Sequence, residues 1–308
     1  MIPADLSLSV QQALAEDIGS GDLTAALIPA ATQLRAQILS REAGILCGQG
    51  YAETTFAALS STIQMHWQIA EGASVAPDQI LCILEGPARA LLSGERTALN
   101  FLQTLSGTAT QVRAYVDALS GHKTRLLDTR KTIPGLRQAQ KYAVRIGGGH
   151  NHRLGLYDGI LIKENHIAAC GSITAALQAA RQIAPALTRI EVEVENLLQL
   201  EEALTAGTDM VLLDNFPLED LRHAVQRVAG RLPLEASGNI GVHNIAAVAA
   251  TGVDFISVGS LTRHLPDHAA SHPLRLRRHF PVLAADPTCQ DENPNFLTRY
   301  RLVGIFFT

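Results

Sequence analysis

The chain has 308 residues, of which 47% are hydrophobic and 18% are charged, and its formal net charge is -4 at pH 7. This composition excludes a disordered chain, and the slight acidity excludes a general attraction to nucleic acid or to an anionic membrane. No stretch approaches the ~18 apolar residues of a membrane span, so we expect a cytoplasmic globular protein with one large and one smaller domain.

Residues 1–107 are predicted to form an N-terminal α+β domain. The stretch 35–92 is interpreted as strands separated by turns. Within it, apolar and polar residues alternate from Ile63 to Ile69, which is the period of a half-buried antiparallel strand. A long helix is expected at about 95–119, with Ser93 as its N-cap.

Residues 108–264 are predicted to form the catalytic domain, because apolar strands there alternate with amphipathic helices. Strands are expected to begin near residues 124, 158, 189, 209, 232 and 253, and helices are expected at 173–183, 197–206, 218–228 and 244–250. This order is typical of a parallel sheet whose faces are covered. Because polar residues follow each strand, we favour a closed or nearly closed barrel over an open doubly wound sheet.

Three glutamates on one strand indicate a site in this barrel. Side chains alternate along a strand, so Glu191, Glu193 and Glu195 share one face. If that face points inward, the carboxylates are costly to bury unless they meet cations or a metal. The alternative is a strand whose glutamate side faces solvent. Asp214, which ends the next strand, favours the first interpretation and a magnesium ion.

The positive charges of the chain concentrate in one stretch. Residues 123–153 hold eight of the 25 lysines and arginines. The cationic candidates for the site follow predicted strands or the glycine run at 147–149, and they are Arg130, Lys131, His152, Arg153 and Lys163. Solvated surface charges are the alternative interpretation, but barrel sites are built at strand ends, which favours an anion-binding wall.

Small polar residues follow the last two predicted strands. They are Ser237, Gly238 and Asn239 after one strand, and Gly259 and Ser260 after the other. Each group is compatible with a plain turn. Together with the carboxylates and cations of the earlier strands, however, they favour phosphate binding by backbone N–H groups.

Long motifs then give a specific resemblance. The runs Asp128–Arg137, Gly147–Gly149, Asn151–Leu156 and Ile162–His166 closely resemble those of quinolinate phosphoribosyltransferases, and the similarity extends from about residue 10 to residue 262. The resemblance implies the transfer of phosphoribosyl from phosphoribosyl pyrophosphate to quinolinate. Decarboxylation then gives nicotinate mononucleotide, pyrophosphate and CO2, a step of de novo NAD biosynthesis.

The resemblance also implies an architecture and residue roles. The fold would be an incomplete (β/α) barrel with an N-terminal sandwich-like α+β domain, in a homodimer or multiple of dimers with shared active sites. The quinolinate carboxylates would be held by Arg96, Arg130, His152, Arg153 and Lys163. The phosphoribosyl pyrophosphate and its Mg2+ would be surrounded by Lys131, Lys163, Glu193, Asp214, Ser237, Gly238 and Gly259. Of these, Lys131, Lys163, Glu193 and Asp214 are the expected catalytic residues, and Glu193 and Asp214 the expected metal ligands.

Two features depart from the family pattern. Arg263 stands where the family usually has histidine, and residues 280–308 form an atypical tail, although part of 265–308 is expected to complete the N-terminal domain. The residues disfavour two alternative functions. A molybdenum-transport-associated paralogue of the same fold is disfavoured because the run Ile162–His166 is intact. A barrel enzyme with Lys163 as a Schiff-base nucleophile is disfavoured by the surrounding cations.

Overall fold

The N-terminal domain is built around an antiparallel sheet. The computed structural model describes residues 3–263 and the backbone of 276–279, so the predicted tail at 280–308 lies outside the described residues. The first elements are α1 (Leu6–Ile18), β1 (Gln33–Ser40), β2 (Gly44–Ile45), α2 (Gln49–Leu59), β3 (Gln64–Trp67), β4 (Ser74–Val75) and β5 (Ile80–Pro87). A four-stranded sheet has the order β12-β1-β5-β3, in which β12 is the strand Leu276–His279.

The prediction that 35–92 contains only strands and turns was wrong at α2. This helix buries Tyr51, Ala52, Thr55 and Phe56, which recur at helical spacing. The apolar face packs on the sheet and on the following helix, in a core that includes Leu81 and Leu102.

The long helix α3 (Ala88–Ala118) begins earlier than predicted. Its N-cap is Pro87, where β5 ends, so Ser93 lies inside the helix and is not the cap. The Ser93 hydroxyl instead donates to Asp22 Oδ2 at 2.7 Å. The run from Ala88 to Leu92 contains good helix formers, which explains the earlier start.

The second domain confirms the expected incomplete barrel. Its elements are β6 (Arg125–Leu127), α4 (Arg137–Ile146), β7 (Ile160–Ile162), α5 (Glu164–Cys170), α6 (Ile173–Ile183), β8 (Ile190–Val194), α7 (Leu197–Ala206), β9 (Met210–Asp214), α8 (Leu218–Val228), β10 (Leu234–Ser237), α9 (Ile245–Ala249), β11 (Phe255–Ser257) and α10 (Ser260–Arg263). The strand order is β6-β11-β10-β9-β8-β7, and every pairing is parallel. The first strand therefore pairs with the last, and an open seam remains between β6 and β7.

The barrel core lies between the strands and the outer helices. Val192, Val194 and Leu213 are fully buried there and pack against α6, α7 and α8. Because side chains alternate along β8, this packing turns Glu191 and Glu193 to the barrel interior. Within the described part of the chain, no helix is both long enough and apolar enough to cross a membrane.

Candidate active site

A cavity of about 810 Å³ opens at the carboxyl ends of the barrel strands. Apart from Arg96, Glu191 and Glu195, its wall contains the predicted site residues, namely Arg130, Lys131, His152, Arg153, Lys163, Glu193, Asp214, Ser237, Gly238, Asn239, Gly259 and Ser260. The strand register explains part of this convergence, since Asp214 on β9 lies level with Ser237 on β10. Residues distant in sequence thus meet at one edge of a parallel sheet.

Two guanidinium groups form part of the cationic wall. Burial, followed by the charge of Arg130, holds the pKa of Arg153 below its usual range. Arg153 Nη1 also donates to the Gly159 carbonyl at 3.0 Å, which fixes its direction. Two neighbouring cations that face one cavity are an arrangement that a polyanionic ligand would stabilise.

Lys163 stands on the same wall, where β7 passes into α5. Its backbone N–H donates to His166 Nδ1 at 3.0 Å, so the Lys-Glu-Asn-His run fixes the start of the helix. The Lys163 ammonium pairs with the carboxylate of Glu193 on the adjacent strand. The lysine side chain remains 41% exposed, and a ligand in the cavity can therefore reach it.

His152 and Glu235 line the cavity, and Glu191 is buried beside them. His152 Nε2 lies 2.9 Å from Glu191 Oε2 and 3.5 Å from Glu235 Oε2, while its Nδ1 accepts from the Arg153 N–H at 2.8 Å. Burial lowers the pKa of His152, but the hydrogen bond to Glu191 and the charges of both carboxylates raise it more, and the net pKa is raised. Burial and the charge of Glu191 raise the pKa of Glu235 to about 8.

Glu235 was missed by the sequence analysis, because a single glutamate inside the run Leu234–Ser237 has no second carboxylate to mark it. The three-glutamate pattern on β8 was partly right. Glu191 is buried and Glu193 lines the cavity, but Glu195 lies beyond the strand end and is exposed. The ligand atoms of His152, Glu191 and Glu235 lie within 4.8 Å of one another. The direct contact between His152 Nε2 and Glu191 Oε2 gives each of these two atoms a partner, whereas Glu191 Oε1 is buried without a hydrogen bond.

Each of the two glycines after β10 and β11 lies close to a neighbouring side chain. Gly238 has φ +101°, and a Cβ there would lie 2.1 Å from Asn215 Oδ1. A Cβ on Gly259 would lie 2.8 Å from Lys131 Cδ, so the lysine side chain passes directly over this glycine. A side chain at position 238 is therefore excluded by the side chain and the backbone of Asn215, whereas a side chain at position 259 would have to displace the flexible Lys131 side chain.

Asp214 and Glu193 supply hard oxygen atoms on neighbouring strands. Asp214 Oδ2 accepts from Asn215 Nδ2 at 2.8 Å, and its side chain is only partly buried. The two residues do not form a closed cage of protein ligands. An open pair of carboxylates suits Mg2+, which keeps several waters and binds substrate phosphate oxygens.

Two further arginines differ in position. Arg263, the departure from the family pattern, lines the cavity. Arg96 is exposed on α3 and does not line it. Since α3 begins at Ala88, Arg96 lies in its third turn and not in the first turn.

Taken together, the fold and the cavity define a barrel enzyme that binds a multiply anionic substrate. Models of the quinolinate phosphoribosyl transferase N-terminal and C-terminal domains match residues 22–106 and 108–268. The chain belongs to the quinolinate phosphoribosyltransferase family.

Individual relatives agree with this placement. A probable nicotinate-nucleotide pyrophosphorylase (carboxylating) of Bacillus subtilis is 46% identical over 80% of this chain and 86% of its own length. Quinolinate phosphoribosyltransferase (decarboxylating) 1 of Nicotiana glauca is 38% identical over 84% of this chain and 79% of its own length. The structure of the nicotinate-nucleotide pyrophosphorylase from Francisella tularensis has a TM-score of 0.85 and 45% identity, and the match covers 91% of this chain and 98% of that one.

Neither alternative function gains support from these observations. The relatives carry quinolinate or nicotinate-nucleotide names, not molybdenum-transport names. A Schiff-base lysine usually lies desolvated in an apolar pocket, whereas the Lys163 side chain is 41% exposed and paired with a carboxylate.

Proposed function

We propose that the chain transfers the phosphoribosyl group of phosphoribosyl pyrophosphate to quinolinate and releases nicotinate mononucleotide, pyrophosphate and CO2. The observation that carries the proposal is that a cationic wall, two carboxylates and two glycine-containing loops line one cavity. Each part matches one demand of the reaction, since one substrate is a dicarboxylate and the other carries a pyrophosphate.

The cationic wall is proposed to bind quinolinate. Arg130 and Arg153 are suited to the two ring carboxylates, because a guanidinium group pairs with a carboxylate through two hydrogen bonds. Lys163 and His152 lie on the same wall and complete the set within one chain. Arg96 is proposed to reach this pocket from the partner subunit of a homodimer or a multiple of dimers, since it does not line the cavity of its own chain.

The opposite side is proposed to bind phosphoribosyl pyrophosphate. Ser237, Gly238 and Asn239 follow β10, and Gly259 and Ser260 follow β11. Their backbone and hydroxyl groups suit phosphate oxygens, and Lys131, which crosses Gly259, adds a positive charge.

Glu193 and Asp214 are proposed to hold Mg2+ beside the pyrophosphate. When bound, the ion supplies positive charge that stabilises the leaving pyrophosphate. The donor chemistry fits, because both groups offer carboxylate oxygens to the cavity.

The cytoplasmic location expected from the sequence stays a prediction.

The chain's own residues serve two bond changes. The quinolinate ring nitrogen bonds to ribose C1 while the C1–O bond to pyrophosphate breaks, and Lys131 and Lys163 stabilise the charge on the leaving group. The ring then loses its C2 carboxylate as CO2. The electron pair left on C2 is stabilised by the adjacent cationic nitrogen and takes up a proton. The arginines need only hold the ring in place.

An assay with matched substrates tests the proposal. Purified chain, phosphoribosyl pyrophosphate and Mg2+ are mixed with quinolinate or with nicotinate, which lacks the C2 carboxylate, and nicotinate mononucleotide is measured. We expect product from quinolinate at a rate far above that from nicotinate. No product from quinolinate, or equal rates from both, would contradict the proposal.

A further inference from the structure

A short segment fills the open seam of the barrel. His150 pairs with the edge of β6 as a residue of a parallel strand would. Its N–H donates to Leu126 O at 2.8 Å, and its carbonyl accepts from Asp128 N at 3.1 Å. The chain then continues directly through His152 and Arg153, which line the cavity. The seam and the cationic wall are therefore parts of one segment.

Behind this segment lies a buried ion pair. Asp128 is 0% exposed and Lys141 is 1% exposed. Lys141 Nζ donates to Asp128 Oδ1 at 2.5 Å, and Asn151 Nδ2 donates to Asp128 Oδ2 at 2.7 Å and to Lys141 O at 2.9 Å. The side chains of Asp128 just after β6, of Lys141 on α4 and of Asn151 in the seam thus form one hydrogen-bonded unit.

The unit holds the backbone of His152 at both ends. The His152 N–H donates to Asp128 Oδ1 at 2.8 Å, and the His152 carbonyl accepts from Lys141 Nζ at 3.3 Å. Arg130, which is two residues after Asp128 in the chain, lines the same cavity. The buried pair is therefore the point from which both Arg130 and Arg153 are placed.

Stability alone does not explain this pair. A fully buried ion pair is on average no more stabilising than well-packed apolar residues of the same volume. Apolar residues, however, could neither accept a hydrogen bond from the His152 N–H nor donate one to the His152 carbonyl. Burial and, after it, the charge of Arg130 lower the pKa of Arg153. The two guanidinium groups therefore repel each other, and a fixed backbone opposes that repulsion.

We propose that Asp128, Lys141 and Asn151 are positioning residues for the quinolinate side of the site, an inference that rests on the proposed function. None of the three lines the cavity, so none is expected to touch a substrate. Their effect is on the geometry of the arginine pair. Loss of this geometry should raise the KM for quinolinate and leave the KM for phosphoribosyl pyrophosphate unchanged.

Steady-state kinetics of Lys141→Met and Asn151→Ala test this inference, with Leu177→Ala as the control. Leu177 lies on α6 and is buried in the barrel core, so its loss lowers stability without touching the seam. We expect the KM for quinolinate to rise about ten- to a hundredfold in both seam variants, because small misplacements of binding groups have effects of that size. The KM for phosphoribosyl pyrophosphate should stay within about twofold, as should both KM values of the control.

Each outcome has a distinct meaning. If the seam variants lose stability like Leu177→Ala and keep both KM values, or if both KM values rise together, the pair is structural only and the inference is wrong. If Lys141→Met does not fold, Asn151→Ala decides alone, since its side chain is only partly buried and it leaves the ion pair in place. A wild-type chain without activity on quinolinate would instead overturn the proposed function.

Discussion

Two lysine–carboxylate pairs at the carboxyl end of the barrel have the same chemistry but different surroundings. In the pair Lys141–Asp128 the side chains are 2% and 0% exposed, and in the pair Lys163–Glu193 they are 41% and 12% exposed. The first pair binds only groups of the protein. The second pair faces the cavity, where a substrate or an ion can replace either partner.

Burial acts against the charged forms of the first pair. It raises the pKa of Asp128 and lowers that of Lys141, while the attraction between the two groups opposes both shifts. A pair of this kind adds little net stability, and its value lies in geometry. Burial, more than residue type, therefore separates a positioning group from a group available to ligands.

Removal of divalent cations should have the largest effect and should act only on the exposed side of this comparison. Excess EDTA is expected to abolish turnover, because Glu193 and Asp214 would no longer hold Mg2+ beside the pyrophosphate. The melting temperature should hardly change, since the buried pair needs no ion. Rates before and after Mg2+ is restored measure the effect, and full turnover in EDTA would refute the metal assignment.

Lys163→Ala should separate activity from stability. We expect kcat/KM to fall about 10²- to 10³-fold, as when one charge-stabilising donor is removed from an active site. The free energy of unfolding should change by less than about 1 kcal/mol, because a partly exposed pair contributes little. Lys141→Met is the matched variant, and it should lose about 3–5 kcal/mol of stability because it leaves Asp128 buried and unpaired. Equal stability losses in the two variants, measured by denaturant unfolding, would contradict the distinction.

A mixing experiment extends the comparison to the subunit interface. Arg96→Ala and Lys163→Ala chains should each be nearly inactive alone. If Arg96 serves the partner's site, each mixed dimer has one site with both lesions and one site with neither. Random reassociation of equal amounts should therefore restore about a quarter of the wild-type activity. A mixture that stays inactive would place both residues in the same chain's site.

The smallest expected effect concerns the pH dependence of stability. The pKa of Glu235 is raised to about 8 in the folded state, so the folded chain binds more protons than the unfolded chain between the two pKa values. Stability should fall as pH rises from about 5 to about 8, and the raised pKa of His152 acts in the same direction. Glu235→Gln removes the carboxyl group, and its melting temperature should depend less on pH over that range. An unchanged pH dependence would contradict the assignment.

Sequence patterns predicted the barrel better than the N-terminal domain. The helices α6, α7 and α8 have the predicted bounds, because each has a plain amphipathic period between apolar strands. The helix α2 was missed because its buried face mixes alanine and threonine with only two aromatic residues, a weak apolar signal.

The site shows a similar division. The motif residues reach one cavity, as the strand ends indicated, but Glu235 was missed and Glu195 was placed wrongly because a pattern does not fix where a strand ends. The roles of the individual site residues stay predictions. The site that Arg96 serves stays a prediction, since it depends on the proposed homodimer and residue spacing within one chain does not encode an assembly.

The stoichiometry of the complete reaction is the most direct test of the proposed phosphoribosyl transfer and decarboxylation. With quinolinate labelled in the C2 carboxylate, the chain should release labelled CO2, pyrophosphate and nicotinate mononucleotide in equal amounts, and only when phosphoribosyl pyrophosphate is present. Pyrophosphate release without labelled CO2, or CO2 release without phosphoribosyl pyrophosphate, would contradict the proposed reaction.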